Sequence, residues 1–131
     1  MRKTPKRIQK KPQPSEAQTQ KAILEWLRLE GIFAWRSNTG TARYSGKGGK
    51  DRYVRYGMPG VSDILGISPE QWADNPLEPK NFLRGRFLAI EVKSVLGKLS
   101  LAQKAFLDAV ESNGGIAIVA RSLDDVIRRL R

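Results

Sequence analysis

Arg86-Phe87-Leu88-Ala89-Ile90-Glu91-Val92-Lys93-Ser94 is the stretch that decides the fold. Side chains alternate along a strand, so Phe87, Ala89, Glu91 and Lys93 share one face while Leu88, Ile90 and Val92 share the other. The pattern predicts a strand from Arg86 to Lys93 with an apolar body and a Glu-x-Lys pair at its end. Upstream, Ser15 caps a helix predicted over Glu16 to Glu30, with Ile23, Leu24 and Leu27 at helical spacing and Gly31 as its stop. Ile32 to Ser37 reads as a strand. Residues 38–57, NTGTARYSGKGGKDRYVRYG, predict a mobile loop or an irregular hairpin. Met58-Pro59-Gly60 is a turn into a short strand, Ser62 to Ile67. Residues 68–84 carry three prolines and read as an inserted excursion, with Trp72 and Phe82 either a dimer surface or a cover for the core. Downstream, Gly97-Lys98 turns into an amphipathic helix from Ser100 to Asn113. A buried strand, Gly115 to Ala120, and a last helix, Ser122 to Arg131 with Ser122 as cap, complete the chain. The order α-β-β-β-α-β-α predicts an α/β fold: one mixed sheet flanked by helices, in a single domain over residues 15–131.

Composition narrows the chemistry. The chain has 131 residues, with 24 Lys+Arg against 13 Asp+Glu and a net charge of +11. It has no cysteine and no histidine, which excludes thiolate and imidazole zinc sites, Cys nucleophiles, Ser-His-Asp triads and His general bases. Acid–base or metal chemistry falls to carboxylates, Lys, Tyr or water. No apolar run approaches the roughly 20 residues that span a bilayer, and no signal-peptide pattern opens the chain. A soluble cytoplasmic protein with no membrane partner is expected. Residues 1–14 hold six basic side chains, three prolines and no acid, and predict a disordered arm, either a solubilising tail or a non-specific phosphate contact. Without that arm the body still carries 18 basic and 13 acidic residues, a net of +5. A nucleic acid is the partner this balance implies.

Asp63 follows the Pro59-Gly60 turn and opens its strand, so a neighbouring Glu91-Val92-Lys93 strand brings two carboxylates and an ammonium together. Two carboxylates about 4 Å apart repel by about 4 kcal/mol at an effective dielectric of 20. A divalent cation offsets that, and oxygen-only ligands favour Mg²⁺ or Mn²⁺. Lys93 would then stabilise charge developing at a phosphate, or orient or deprotonate the attacking water. Glu16 and Gln20 fall on the apolar stripe of the first helix and are expected to point inward; Glu16 is otherwise a first-turn acid favoured by the helix dipole. Gln103 fits two roles, the partner of Ser100 in a capping box or an amide offered to a metal-bound water or Lys93. The 41–55 loop holds Arg43, Lys47, Lys50, Arg52 and Arg55 with Tyr44 and Tyr53 between them, suited to wrapping phosphates and stacking on bases, or else simply solvated. Arg36 and Asn38 sit where they would hold a phosphate near the metal.

These pieces, in this order, resemble the virus-type replication-repair nuclease domain (VRR-NUC), a branch of the PD-(D/E)XK nucleases. The resemblance spans roughly residues 15–125: the helix with Glu16, Trp35-Arg36-Ser37-Asn38-Thr39-Gly40, Tyr56-Gly57-Met58-Pro59-Gly60-Val61-Ser62-Asp63, Ala89-Ile90-Glu91-Val92-Lys93, Gly97-Lys98-Leu99-Ser100 leading to Gln103, and Gly114-Gly115. It implies a restriction-endonuclease-like core. It implies Asp63, Glu91 and the Val92 carbonyl as metal ligands, Lys93 as the catalytic lysine, Glu16 as the helix acid close to the metal that completes its ligand set or supports the site, and Gln103 as the motif glutamine. Small members are viral or prophage proteins that act as dimers on branched DNA, especially four-way junctions. Larger eukaryotic members carry extra domains and act as monomers on flaps. The resemblance therefore implies a phage- or prophage-encoded homodimer, working on junction DNA in the bacterial host. The rivals are a flap, nick or unbranched-DNA nuclease with the same site, a DNA-binding module without catalysis, and an RNA-directed nuclease. The 68–84 excursion matches nothing in the family pattern.

Overall fold

The computed structural model describes residues 4, 12–37, 40–80 and 82–131. Asn38 and most of the basic arm lie outside the described residues. In chain order the elements are α1 (Glu16–Leu29), β1 (Phe33–Arg36), β2 (Gly40–Ser45), β3 (Asp51–Tyr56), β4 (Ile64–Trp72), β5 (Phe82–Val92), α2 (Leu101–Ser112), β6 (Ile116–Ala120) and α3 (Leu123–Leu130). β1, β4, β5 and β6 form one sheet in that order, antiparallel except for the parallel β5–β6 pair joined through α2. The mixed sheet with flanking helices is the α/β core expected from the strand and helix order. No helix among the described residues is long and apolar enough to cross a membrane.

The alternation along β5 divides the core as its sequence requires. Leu88, Ile90 and Val92 pack with Ile23 and Leu27 of α1 and Val126 of α3. Ala89 packs on the opposite face with Leu107 and Val110 of α2. Both long helices open on capping boxes: Ser15 with Gln18, and Ser100 with Gln103, each exchanging two hydrogen bonds. Ser122 occupies the cap position of α3 without a side-chain bond, and Asp125 instead accepts from the Arg121 N–H at 2.8 Å.

Three expectations need correction. Within the 38–57 stretch, residues 40–56 form a regular antiparallel hairpin, from Gly40 opposite Tyr56 to Ser45 opposite Asp51, separate from the main sheet. Gly48 and Gly49, at φ of 79° and 75°, let its tip turn back. The 68–84 excursion is largely strand: β4 and β5 run on past the core as a ribbon to Trp72 opposite Phe82. Cross-strand pairs stabilise it. Arg84 lies 3.4 Å over the Trp72 ring and donates to Glu70 directly across. Pro69, which has no N–H to give, lies beyond the last β4 residue paired with β1, where no outer ladder is broken. Neither Trp72 nor Phe82 belongs to a core cluster; both are exposed. Finally, α1 buries Thr19, Ile23 and Leu27. Gln20 is only half-buried and Glu16 is exposed, because the stripe runs past the edge of the core at the first turn.

Candidate active site

The site begins with a turn that only glycine allows. Met58 accepts from the Val61 N–H at 3.3 Å, and Gly60 takes a φ of +75°. A Cβ there would stand 2.2 Å from the Ala102 carbonyl oxygen and 2.7 Å from the Gln103 nitrogen. The Pro59-Gly60 turn therefore lies directly against the first turn of α2, and it delivers Asp63 and Gln103 to the same corner.

Asp63 ties three strands together. Its backbone carbonyl accepts from the Ser37 N–H just past β1, at 2.8 Å. Its Oδ2 accepts from the Val92 N–H at the end of β5, also at 2.8 Å. Val92 itself is fully buried on the opposite face, so only its backbone faces this corner.

Glu91 is 3% exposed. Its Oε1 accepts from Gln103 Nε2 at 2.9 Å and lies 3.8 Å from Lys93 Nζ. Gln103 fills the capping role, since its Oε1 accepts from the Ser100 N–H at 2.9 Å, while its amide nitrogen goes to Glu91, a partner its position had not suggested. The capping box thus fixes which end of the amide meets Glu91. Burial, and then the negative charge of Asp63, push the Glu91 carboxyl up to about 7, with Lys93 opposing them. The other oxygen, Oε2, is buried with no hydrogen-bond partner among the described residues. Beside a second acid, and with Lys93 as its cation at 3.8 Å, this buried carboxyl is only partly compensated.

The donor set fits a hard divalent cation. Two carboxylates and a strand carbonyl are oxygen ligands throughout, and the buried Glu91 Oε2 finds no donor among the described residues. Among the described residues no three carboxylates gather in one group. Glu16 stands apart from Asp63 and Glu91 in that respect. Its Oε1 accepts from the Ser94 N–H at 3.0 Å, and it borders, with Lys93, Thr19 and Arg121, a pocket beside the end of β5. The structure therefore brings Asp63, Glu91, Lys93 and Gln103 into one corner, and Glu16 to the turn that follows.

The basic candidates are spread more widely. Arg36 is exposed at the end of β1, its backbone opposite Ile64 and so next to Asp63. Lys47, Lys50 and Arg52 are exposed on the β2–β3 hairpin. Arg43 pairs with Asp51 across that hairpin, which commits part of its charge. The Arg55 side chain, like Asn38, lies outside the described residues. Sequence reasoning missed Arg121, which donates to the carbonyls of Ser94, Val95 and Gly97. No motif marks it; only the parallel register that sets Ala120 beside Val92 reveals the neighbourhood.

No curated protein and no solved structure matches the chain. A family does: the VRR-NUC domain matches residues 14–124, from the cap of α1 into α3 and across every element of this corner. The chain belongs to the VRR-NUC family, and its domain is a nuclease of the PD-(D/E)XK type.

Proposed function

We propose that the protein is a divalent-metal-dependent DNA endonuclease and that it acts as a homodimer on branched DNA, four-way junctions above all. The observation that carries the metal-dependent reading is the buried, partnerless Glu91 oxygen beside Asp63, with Lys93 at 3.8 Å. Asp63, Glu91 and the Val92 carbonyl would hold Mg²⁺ or Mn²⁺. When bound, such an ion polarises a phosphodiester and acidifies water. Lys93 places a positive charge where the pentacovalent phosphate gathers negative charge. Gln103 holds Glu91 through a hydrogen bond given to the ionised form, so the carboxylate is oriented before substrate arrives. Glu16 supports the site from α1 through Ser94. Arg36 and the hairpin cations Lys47, Lys50 and Arg52 supply phosphate contacts away from the chemistry, with Asn38, Arg43 and Arg55 as further members of that set.

The dimer rests on the resemblance and on one surface feature. Phe33, Ile67 and Phe87 stand directly opposite one another across β1, β4 and β5, and all three are exposed. An apolar row across a basic protein favours a protein partner over DNA, and a two-fold copy would present two sites to two strands.

Cleavage of labelled four-way junction, flap, linear duplex and single strand, with Mg²⁺, Mn²⁺ or EDTA, tests the proposal. Paired, metal-dependent cuts in the junction support it. Metal-dependent cutting of the other substrates alone keeps the site and removes the junction role. Binding with no cutting under either metal overturns the catalytic reading in favour of a binding module.

A further inference from the structure

Lys93 is the last residue that the sheet holds directly. Its N–H donates to the Ala120 carbonyl at 3.0 Å, and the chain then turns, with the Gly97 N–H donating to Ser94 at 3.0 Å. The turn's own apolar side chains do little to anchor it, since Val95 is 61% and Leu96 90% exposed. Hydrogen bonds from outside must fix it. One comes from α1, where Glu16 accepts from the Ser94 N–H at 3.0 Å. The others come from a single atom, Arg121 Nη1, which lies 2.5 Å from the Ser94 carbonyl oxygen, 2.7 Å from that of Gly97 and 3.3 Å from that of Val95.

We propose that Arg121 is a positioning residue for Lys93, acting through the Ser94–Gly97 turn; the proposal rests on the nuclease reading of Lys93. Arg121 is placed for that work. Its own N–H is held by Asp125 at 2.8 Å, so its backbone is fixed at the start of α3. Asp125 directs its other oxygen to Arg128, at 3.6 Å, and leaves the Arg121 guanidinium to the carbonyls. Like Arg86, which donates to the Gly114 and Gly115 carbonyls, this guanidinium is turned onto the protein's own backbone. The two hydrogens of Nη1 serve the two shorter contacts, to Ser94 and Gly97, and the planar guanidinium holds that nitrogen in one orientation. Glu16 and Arg121 thus grip opposite sides of the turn, one taking its N–H and the other its carbonyls. Lys93 is half-buried, so its ammonium follows its backbone closely. A displacement of about 1 Å at a catalytic group costs about 100-fold in rate.

The test compares Arg121→Ala, Arg121→Lys and Lys93→Ala with the full-length protein. Amide hydrogen exchange is read at Ser94 and Gly97 without metal or DNA, and single-turnover cleavage and DNA affinity are read with Mn²⁺. In Arg121→Ala the two amides should exchange faster, while Ile90 in the core stays protected. The cleavage rate should fall by about 10–100-fold, with DNA affinity held within about twofold. Arg121→Lys should restore part of the rate and part of the protection; it also serves as the test variant if alanine loosens α3. Unchanged exchange at Ser94 and Gly97 overturns the proposal whatever the activity. So does a loss that lies in DNA affinity alone, which would make Arg121 a phosphate contact. If Lys93→Ala cleaves as well as the wild type, the nuclease reading of Lys93 fails separately, and the exchange data still decide whether Arg121 holds the turn.

Discussion

Two regions of this molecule carry most of its functional polarity, and they are built in opposite ways. Where β5 ends against α2, polar atoms are buried and several do two jobs. Gln103 caps a helix and holds Glu91; Asp63 links β1 to β5 through separate atoms. On the β2–β3 hairpin, Arg43 to Val54 are exposed, with Tyr44 at 57% and Tyr53 at 65%, and the ion pair of Arg43 with Asp51 lies in water. Burial makes each charge in the corner matter, because its desolvation is large and its partners are few. Exposure makes each hairpin charge interchangeable, since water and salt screen it. A reaction centre needs the first arrangement and a phosphate-gripping arm needs the second.

The largest expected effect lies in the corner. Lys93→Ala should slow single-turnover cleavage by about 10²–10³-fold, the usual cost of removing one charge-stabilising donor, while leaving DNA affinity nearly intact. An equal fall in affinity would move Lys93 into the same class as the hairpin cations and erase the contrast.

Gly60→Ala tests whether the turn or the strand sets the corner. The added methyl group meets the Ala102 carbonyl at 2.2 Å and needs a positive φ, so stability should fall by about 3 kcal/mol in urea unfolding. The first turn of α2 must shift to make room, so activity should fall with it. A neutral substitution would show that the turn is not what joins Asp63 to Gln103.

Gln103 separates its two roles through a pair of variants. Gln103→Ala should cost about 1 kcal/mol as a lost cap, and about 10–100-fold in metal affinity or rate as a lost support of Glu91. Gln103→Glu can keep the capping box but turns the amide donor into an acid facing Glu91, so it should lose activity with little loss of cap stability. If both variants lose only stability, the bond to Glu91 is incidental.

The smallest effect is expected on the hairpin. Arg52→Ala should weaken DNA binding modestly and reduce the salt dependence of affinity by about one ion. Stability should stay within about 0.5 kcal/mol of wild type, and the rate at saturating DNA should not change. A drop in that rate would mean that the hairpin reaches the chemistry.

The same contrast explains what the sequence made legible. The two-residue alternation of Phe87–Lys93 sorted the faces of β5 correctly, because each face meets a different helix and any slip would bury charge. Capping patterns located the starts of α1 and α2, since those bonds span only three residues. The hairpin was less legible: glycine and basic residues give no apolar alternation, and its strands pair with each other alone. The β4–β5 ribbon was hidden by Pro69, Pro76 and Pro79, which read as interruptions until the edge position of Pro69 is known. Glu16 was placed on the right helical stripe, but the stripe does not reveal where the core stops. Arg121 was invisible because its partners are backbone carbonyls 24–27 residues away, which no side-chain pattern encodes.

Thermal stability of wild type and Glu91→Gln, at pH 5 and pH 8, with and without Mn²⁺, tests the metal-site account most directly. Glu91 titrates at about 7 in the folded protein against 4.5 in an unfolded chain. The folded state therefore holds the proton more tightly. Without metal, the contribution of Glu91 to stability is full below the unfolded value and is lost as pH rises through the folded one. The loss should be on the order of 2 kcal/mol at pH 8. Glu91→Gln removes the titrating group, so the metal-free variant should be more stable than wild type at pH 8. Mn²⁺ should raise the wild-type melting temperature at that pH and leave the variant unchanged. A metal-free variant weaker than wild type at pH 8, or an equal response of both proteins to Mn²⁺, would contradict the account.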